Sequence, residues 1–306
     1  MIVPEKSPAR MPPTALKPST TERIALRGLD YNVRRWGPAD APRVFLLHGW
    51  MDTSATFQFV VDALRHDWQL IAPDWRGYGQ STWLNRPYWF PDYYADLDAL
   101  LAHYAPDTPA RVVGHSMGAN IASIYAGLRP QRVAQLAMLD FIGLKPPADA
   151  DSPTVLGRWL DAQAAPPPAR AYADAAALAR RLGEINPRLT PERAAFLARH
   201  LARARADGQV EMAGDPWHKI PAPAVYRIED AMACWRRVRA SALMLVSGQG
   251  YVLDRFGDEP DELQRRLDCF ADVRVVTVAD AGHNLQHDQP EQVAQALEDF
   301  LTREPT

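Results

Sequence analysis

The sequence predicts an α/β protein: a mostly parallel eight-stranded sheet flanked by helices and interrupted once by an inserted helical unit. Three observations carry this. From Ile24 onward, short β-branched or apolar runs alternate with longer segments of helical periodicity, the pattern of a parallel sheet covered on both faces. Between about residues 142 and 238 the alternation stops, and the chain turns rich in alanine and arginine with proline punctuation. A length of 306 residues suffices for one large α/β domain carrying such an insertion.

In chain order, Met1 to Thr20 holds five prolines and scattered charges with no apolar run, which reads as a loose arm rather than a signal peptide or membrane anchor. Strands are expected at Glu22 to Arg27, Asn32 to Trp36, Arg43 to Leu47, Gln69 to Ala72, Arg111 to Val113, Ala134 to Leu139, Ala242 to Val246 and Val273 to Val278. Helices are expected at Ser54 to Leu64, Tyr93 to Tyr104, Met117 to Leu128 and Pro290 to Thr302, the last capped by Asp288 or Gln289. Inside the insertion, prolines fall at Pro146, Pro147, Pro153 and Pro166 to Pro168. Thr190-Pro191-Glu192 is a helix start, a capping threonine followed by proline at the first helical position, and leads into Ala194 to Arg205. Tyr172, Leu178, Leu182 and Ile185 recur at near-helical spacing. The expected plan is an arm at 1–20, a core at 21–141 and 239–306, and between them a cap at 142–238 of about four helices with no strand of its own.

Composition excludes several classes. The chain is 47% hydrophobic and 23% charged with a net charge of −3, which leaves no electrostatic footprint for nucleic acid. Cys234 and Cys269 belong to no CxxC pair and no Cys/His cluster, so neither a disulfide framework nor a metal site is expected. No run approaches eighteen apolar residues, so no membrane span is expected, and the expected location is cytoplasmic.

The chemistry is concentrated at Gly114-His115-Ser116-Met117-Gly118, a GxSxG sequence lying between a strand and a helix. The turn is so sharp that the residues two away from the serine carry no side chain, and it holds the Ser116 hydroxyl clear of the backbone at a helix N-terminus. A serine hydroxyl is a poor nucleophile until an imidazole takes its proton. His283, in Asp280-Ala281-Gly282-His283 after the last strand, is placed to do so. His66, His103, His200, His218 and His287 read as surface, helix or cap residues, and His48 and His115 as members of turn motifs. Two amides must receive an oxyanion: the Met117 amide, and the Trp50 amide in His48-Gly49-Trp50 after the strand that ends at Leu47.

With these residues in hand, the chain resembles an α/β-hydrolase-fold serine hydrolase with a helical cap. The resemblance rests on His48-Gly49-Trp50, Asp74-Trp75-Arg76-Gly77-Tyr78-Gly79-Gln80-Ser81, Gly114 to Gly118 and Gly282-His283, in the order the family requires, and covers residue 22 onward. His48-Gly49-Trp50-Met51-Asp52 and the stretch from Asp215-Pro216 to Arg227 look most like the serine hydrolase-like, or carboxylesterase-like, group. The Asp74 to Ser81 segment reads as a structural loop in which Asp74 and Arg76 pair. Haloalkane dehalogenases and epoxide hydrolases share the fold but attack through aspartate, and Met51 stands where epoxide hydrolases often carry proline.

One feature departs from the family. Relatives carry the triad's acid just after the strand that follows the cap, but here that loop is Ser247-Gly248-Gln249-Gly250-Tyr251-Val252-Leu253, with no carboxylate. The acid comes from elsewhere or is missing: Asp140, which ends the preceding strand at an edge where some members of the fold place their acid, is the expected one, with Asp254, three residues past the usual place, as the alternative. The resemblance implies a triad of Ser116, His283 and Asp140, with no cofactor. The implied substrate is a small molecule, an apolar acyl ester, held between cap and core with Trp50, His115, Trp159 and Trp217 as candidate contacts. Lactone, thioester, amide or C–C cleavage, perhydrolysis, and a non-catalytic small-molecule receptor remain open readings of the same motifs.

Overall fold

The computed structural model describes residues 16–145, 151–163 and 168–304. Most of the expected arm and the prolines at 146, 147, 166 and 167 lie outside these. Strands β1 (Ser19–Leu26) and β2 (Leu29–Trp36) form an antiparallel hairpin around Arg27 and Gly28, both at positive φ as a two-residue turn between right-twisted strands requires. Next come β3 (Arg43–Leu47), a 3₁₀ turn at Ser54–Phe57, α1 (Gln58–Ala63), β4 (Gln69–Pro73), α2 (Pro91–Tyr104), β5 (Ala110–His115), α3 (Met117–Leu128) and β6 (Val133–Leu139). The segment that follows carries α4 (Ser152–Ala162), β7 (Ala171–Tyr172), α5 (Ala175–Ile185), α6 (Pro191–Leu201), β8 (Ala202–Ala204), β9 (Val210–Met212) and α7 (Ile228–Trp235). Then come β10 (Ser241–Ser247), α8 (Tyr251–Phe256), α9 (Pro260–Leu267), β11 (Val273–Val278), α10 (Leu285–Asp288) and α11 (Pro290–Leu301).

All eight expected sheet strands are present, in the order β1-β2-β4-β3-β5-β6-β10-β11. Only β2 runs against the rest, antiparallel to both β1 and β4; the pairings from β4 to β11 are parallel. Period-two alternation divides their side chains between two cores. On β3, Phe45 and Leu47 join Leu97 of α2, Ile121 of α3 and Trp235 of α7, whereas Val44 and Leu46 join Val60 of α1 and Leu297 of α11. Burying each large apolar side chain contributes about 1.5–3 kcal/mol, so both faces must be covered, and helices cover both.

The segment between β6 and β10 differs from expectation in two ways. It contains a three-stranded antiparallel sheet, β7-β9-β8, where no strand was expected. These strands are two or three residues long, too short for alternation to register in sequence. Second, α7 packs into the main core: the Trp235 indole donates to Ser123 Oγ of α3 at 3.1 Å. Helices α5 and α6 instead build a separate cluster of Leu178, Phe196, Leu197 and Leu201 around Phe59. As expected, Thr190 caps α6, its side chain accepting from the Arg193 amide. At α11, Gln289 is the cap residue but makes no side-chain capping bond. Asp288 is engaged elsewhere, accepting from the Gly282 amide and Asn186 Nδ2.

The Asp74 to Ser81 segment is a structural loop, but Asp74 and Arg76 do not pair. Asp74 accepts from the Ser54 and Gln80 amides and from Asn32 Nδ2. Arg76 turns to α2, where Asp96 accepts from its Nε and Nη2 and Asp92 lies 2.9 Å from Nη1. The loop also seats the far end of the insertion: the Gly79 amide donates to Ala213 O and the Asp215 amide to Gly77 O. Among the described residues, no helix is long and apolar enough to cross a membrane.

Candidate active site

The ends of the five consecutive strands β3, β5, β6, β10 and β11 build the site. At the end of β5, Ser116 occupies φ 51°, ψ −114° immediately before α3, a strained conformation of the kind surroundings must enforce. The enforcing contacts are backbone to backbone. A Cβ on Gly114 would lie 2.4 Å from the Gly118 carbonyl, and one on Gly118 would lie 2.1 Å from Leu47 O at the end of β3. Gly118→Ala is therefore expected to destabilise the fold by about 1–3 kcal/mol, read as a lower urea midpoint; an unchanged midpoint would contradict the packing described.

His283 lies between β11 and α10, its side chain about one-third exposed, and its Nε2 is 2.9 Å from Ser116 Oγ. Its Nδ1 is 2.9 Å from Asp140 Oδ2. Asp140, fully buried and at φ 49°, follows the last residue of β6. The loop after β10 that lacks a carboxylate wraps this one instead: the Ser247 amide donates to Oδ1 at 3.2 Å and the Tyr251 amide to Oδ2 at 2.6 Å. Gly250 makes that approach possible, since a Cβ there would sit 2.4 Å from Asp140 Oδ2. Asp254 is exposed on α8, and its amide is tied to Gly250 O. The structure thus brings Ser116, His283 and Asp140 into one hydrogen-bonded line and leaves Asp254 out of it.

The Gly49-Trp50 loop lies against the serine, since a Cβ on Gly49 would be 3.3 Å from Ser116 Cβ. His48 shapes this loop. Its Nε2 accepts from the Trp75 amide at 2.9 Å, which leaves Nδ1 as the donor to Gly49 O at 2.8 Å. A trans peptide points its carbonyl and N–H in opposite directions, so holding Gly49 O also orients the Trp50 amide. The Met117 amide heads α3, where the helix dipole favours negative charge.

The other candidate contact residues are more scattered. Trp50 is 53% exposed on the loop that lies against the serine. His115 is buried at 2% exposure and faces inward, its Nε2 2.8 Å from the carbonyl of His283, so it offers no surface to a ligand. Trp159 is half-buried on α4, a helix with no fully buried residue. Trp217 lines a groove of about 520 Å³ with Trp83 and Arg203, and none of Ser116, His283 and Trp50 lines that groove. Among the described residues, no three His, Cys, Asp or Glu side chains are grouped as a metal would require.

Sequence reasoning missed the buried polar network behind His283. Gln286 Nε2 lies 3.3 Å from His115 Nδ1 and 3.2 Å from Thr56 Oγ1, and Thr56 Oγ1 is 2.6 Å from His287 Nε2. The available signal was three polar residues, Gln286, His287 and Asp288, directly after a histidine loop. Burial makes these imidazoles hard to protonate: it pushes His287 down to about 3 and His48 to about 4, and carries His115 well below its ordinary value. Below pH about 6.5 the unfolded chain binds protons that the folded protein refuses, and each such histidine then removes about 1.4 kcal/mol per pH unit. Asp52, raised by burial to about 6, works the opposite way between that pH and its ordinary value and offsets part of the loss. The melting temperature is expected to fall steadily from pH 6.5 towards 4.5, less steeply in His287→Gln; a flat or rising profile would contradict the burial of these rings.

A model of the alpha/beta hydrolase fold family matches residues 42–290. The chain belongs to that family. Over 278 residues, 87% of this chain and 83% of the relative, it is 29% identical to the serine hydrolase-like protein of Danio rerio. A shorter match, 33% identity over 115 residues, covers 37% of this chain and 41% of the bifunctional esterase/perhydrolase DCH of Acinetobacter calcoaceticus. Among solved structures, the thioesterase domain from the curacin biosynthetic pathway superposes with a TM-score of 0.78 at 23% identity, covering 92% of this chain and 99% of that domain. Of this hydrolase fold, the chain carries the eight-stranded sheet and, at its strand ends, the serine, histidine and aspartate described above.

Proposed function

We propose that this hydrolase cleaves a small-molecule carboxylic ester by two-step acyl transfer, with Ser116 as nucleophile, His283 as general base and Asp140 as the acid that orients the imidazole. The observation that carries the proposal is the unbroken line of hydrogen bonds from Asp140 through His283 to Ser116, each 2.9 Å long. His283 takes the serine proton as Oγ attacks the ester carbonyl. The Trp50 and Met117 amides receive the oxyanion, and His283 returns the proton to the leaving alkoxide. Water, deprotonated by the same imidazole, then releases the acyl group. Residues 142–238 act as the cap. Apolar surface beside the base supports an apolar acyl group: Tyr251 stacks on Phe141 at 5.3 Å and lies 5.8 Å from the His283 ring, with exposed Trp50 on the loop beside Ser116.

A fluorophosphonate probe tests the proposal. The native protein is expected to become covalently labelled and to turn over short acyl esters, and Ser116→Ala to do neither. A native protein that neither labels nor hydrolyses such esters would refute it.

A further inference from the structure

A small polar cavity of about 130 Å³ lies on the seam between the core sheet and the inserted segment, and neither Ser116 nor His283 lines it. Arg34 of β2 forms its core wall, and Arg199, His200 and Arg203, from the end of α6 and from β8, form the opposite one. Arg34 is 9% exposed. Its Nη1 donates to Ser19 Oγ and its Nη2 to His200 Nδ1, but its Nε is buried with no partner. Burial, then the nearby Arg34 and Arg199, pushes His200 down to about 4, so the ring is neutral and adds no charge, its Nδ1 accepting from Arg34 and its Nε2 keeping the proton.

The charge in this cavity is unbalanced. Arg199 and Arg203 are exposed at the rim, with Arg203 flat on the Trp83 ring at 3.6 Å, and among the described residues none of the three arginines forms an ion pair. The one carboxylate in the wall, Asp74, is occupied by the Ser54 amide on Oδ1 and by Asn32 Nδ2 and the Gln80 amide on Oδ2. A buried guanidinium with a vacant N–H is costly unless an anion completes it, and the planar guanidinium fork matches the oxygens of a carboxylate or phosphate.

We propose that Arg34, Arg199 and Arg203 form a binding site for a small oxyanion, a phosphate or carboxylate group, which bridges the inserted segment to the core. The volume fits one such group and not a nucleotide. Because Arg199 and Arg203 come from the insertion and Arg34 from the sheet, occupancy fastens one to the other.

Sodium phosphate and sodium acetate, in separate arms and each compared with sodium chloride at equal ionic strength, test the site by calorimetric titration and thermal unfolding. For the native protein, at least one of the two is expected to bind and raise the melting temperature by several degrees, and the responding arm identifies the oxyanion. R199Q/R203Q changes only exposed side chains and is expected to keep the native melting temperature in chloride while binding that anion at least tenfold more weakly. Equal melting temperatures in all three salts would overturn the proposal, as would a double variant that binds as tightly as the native protein.

Discussion

Asp140→Asn is expected to lower kcat for a short acyl ester by about 10⁴-fold, with the fold retained, whereas Asp254→Asn is expected to stay close to native activity. Asp140 Oδ2 serves both His283 Nδ1 and the Tyr251 amide, and Oδ1 receives the Ser247 amide. An asparagine must turn its NH₂ towards one of these sides. Facing His283, the NH₂ makes Nδ1 the acceptor and leaves the imidazole proton on Nε2, pointed at the hydroxyl whose proton it should take. Facing Ser247, it preserves the tautomer, opposes one N–H to another, and removes the negative charge that stabilises the imidazolium. Asp254 is exposed and on no such path. Steady-state kinetics beside circular dichroism check the pair of variants; equal, small losses in both would sink the assignment of the acid.

The largest loss of stability is expected at Asp96→Ala, about 3–5 kcal/mol. This carboxylate is fully buried and accepts from the Tyr31 hydroxyl, from Arg76 Nε and Nη2, and from Arg27 Nη1. Removing it strands Arg76, 5% exposed, with only half-exposed Asp92 as a remaining partner. Arg76 belongs to the loop that seats Ala213 and Asp215, so the junction with the inserted segment should loosen as well. Replacing both partners, as in Asp96→Leu/Arg76→Met, removes the uncompensated charge and is expected to recover much of the loss. Urea unfolding decides it: a single variant that loses less than 1 kcal/mol would show that the pair is dispensable.

What could be read in the sequence was what depends on neighbours in the chain. The elbow at Ser116 is legible because its glycines sit two residues either side, and His283 because it follows the last strand. The helix start at Thr190-Pro191 is local in the same way. Features decided by distant contacts were not legible. Nothing near Arg76 announces Asp96, and adjacency suggested Asp74 instead. The sequence favoured Asp140 over Asp254 from its place at a strand end but could not fix it, because the deciding contacts join β6 to a loop more than a hundred residues later. In retrospect Gly248-Gln249-Gly250 carried a signal: glycines in place of a carboxylate mark backbone coming close to something. His115 was read as a ligand contact because it adjoins Ser116, yet the turn that exposes the serine hydroxyl directs the preceding side chain inward.

Ser116 and His283, its proposed base, are 167 residues apart in sequence, and on that proposal this separation governs when reactivity can arise during synthesis. A chain emerging from the ribosome completes β5 and α3 long before it reaches His283. In the interval Ser116 has no imidazole to take its proton and is as inert as any serine in solution. The loop carrying His283 follows β11, which is anchored to the sheet through β10, so its place over Ser116 depends on that pairing. Closing so distant a contact is entropically slow, so the reactive centre is among the last parts to assemble. On the proposed roles, partly folded chains lack the base that activates Ser116, and covalent labelling of Ser116 is expected to report completed folding.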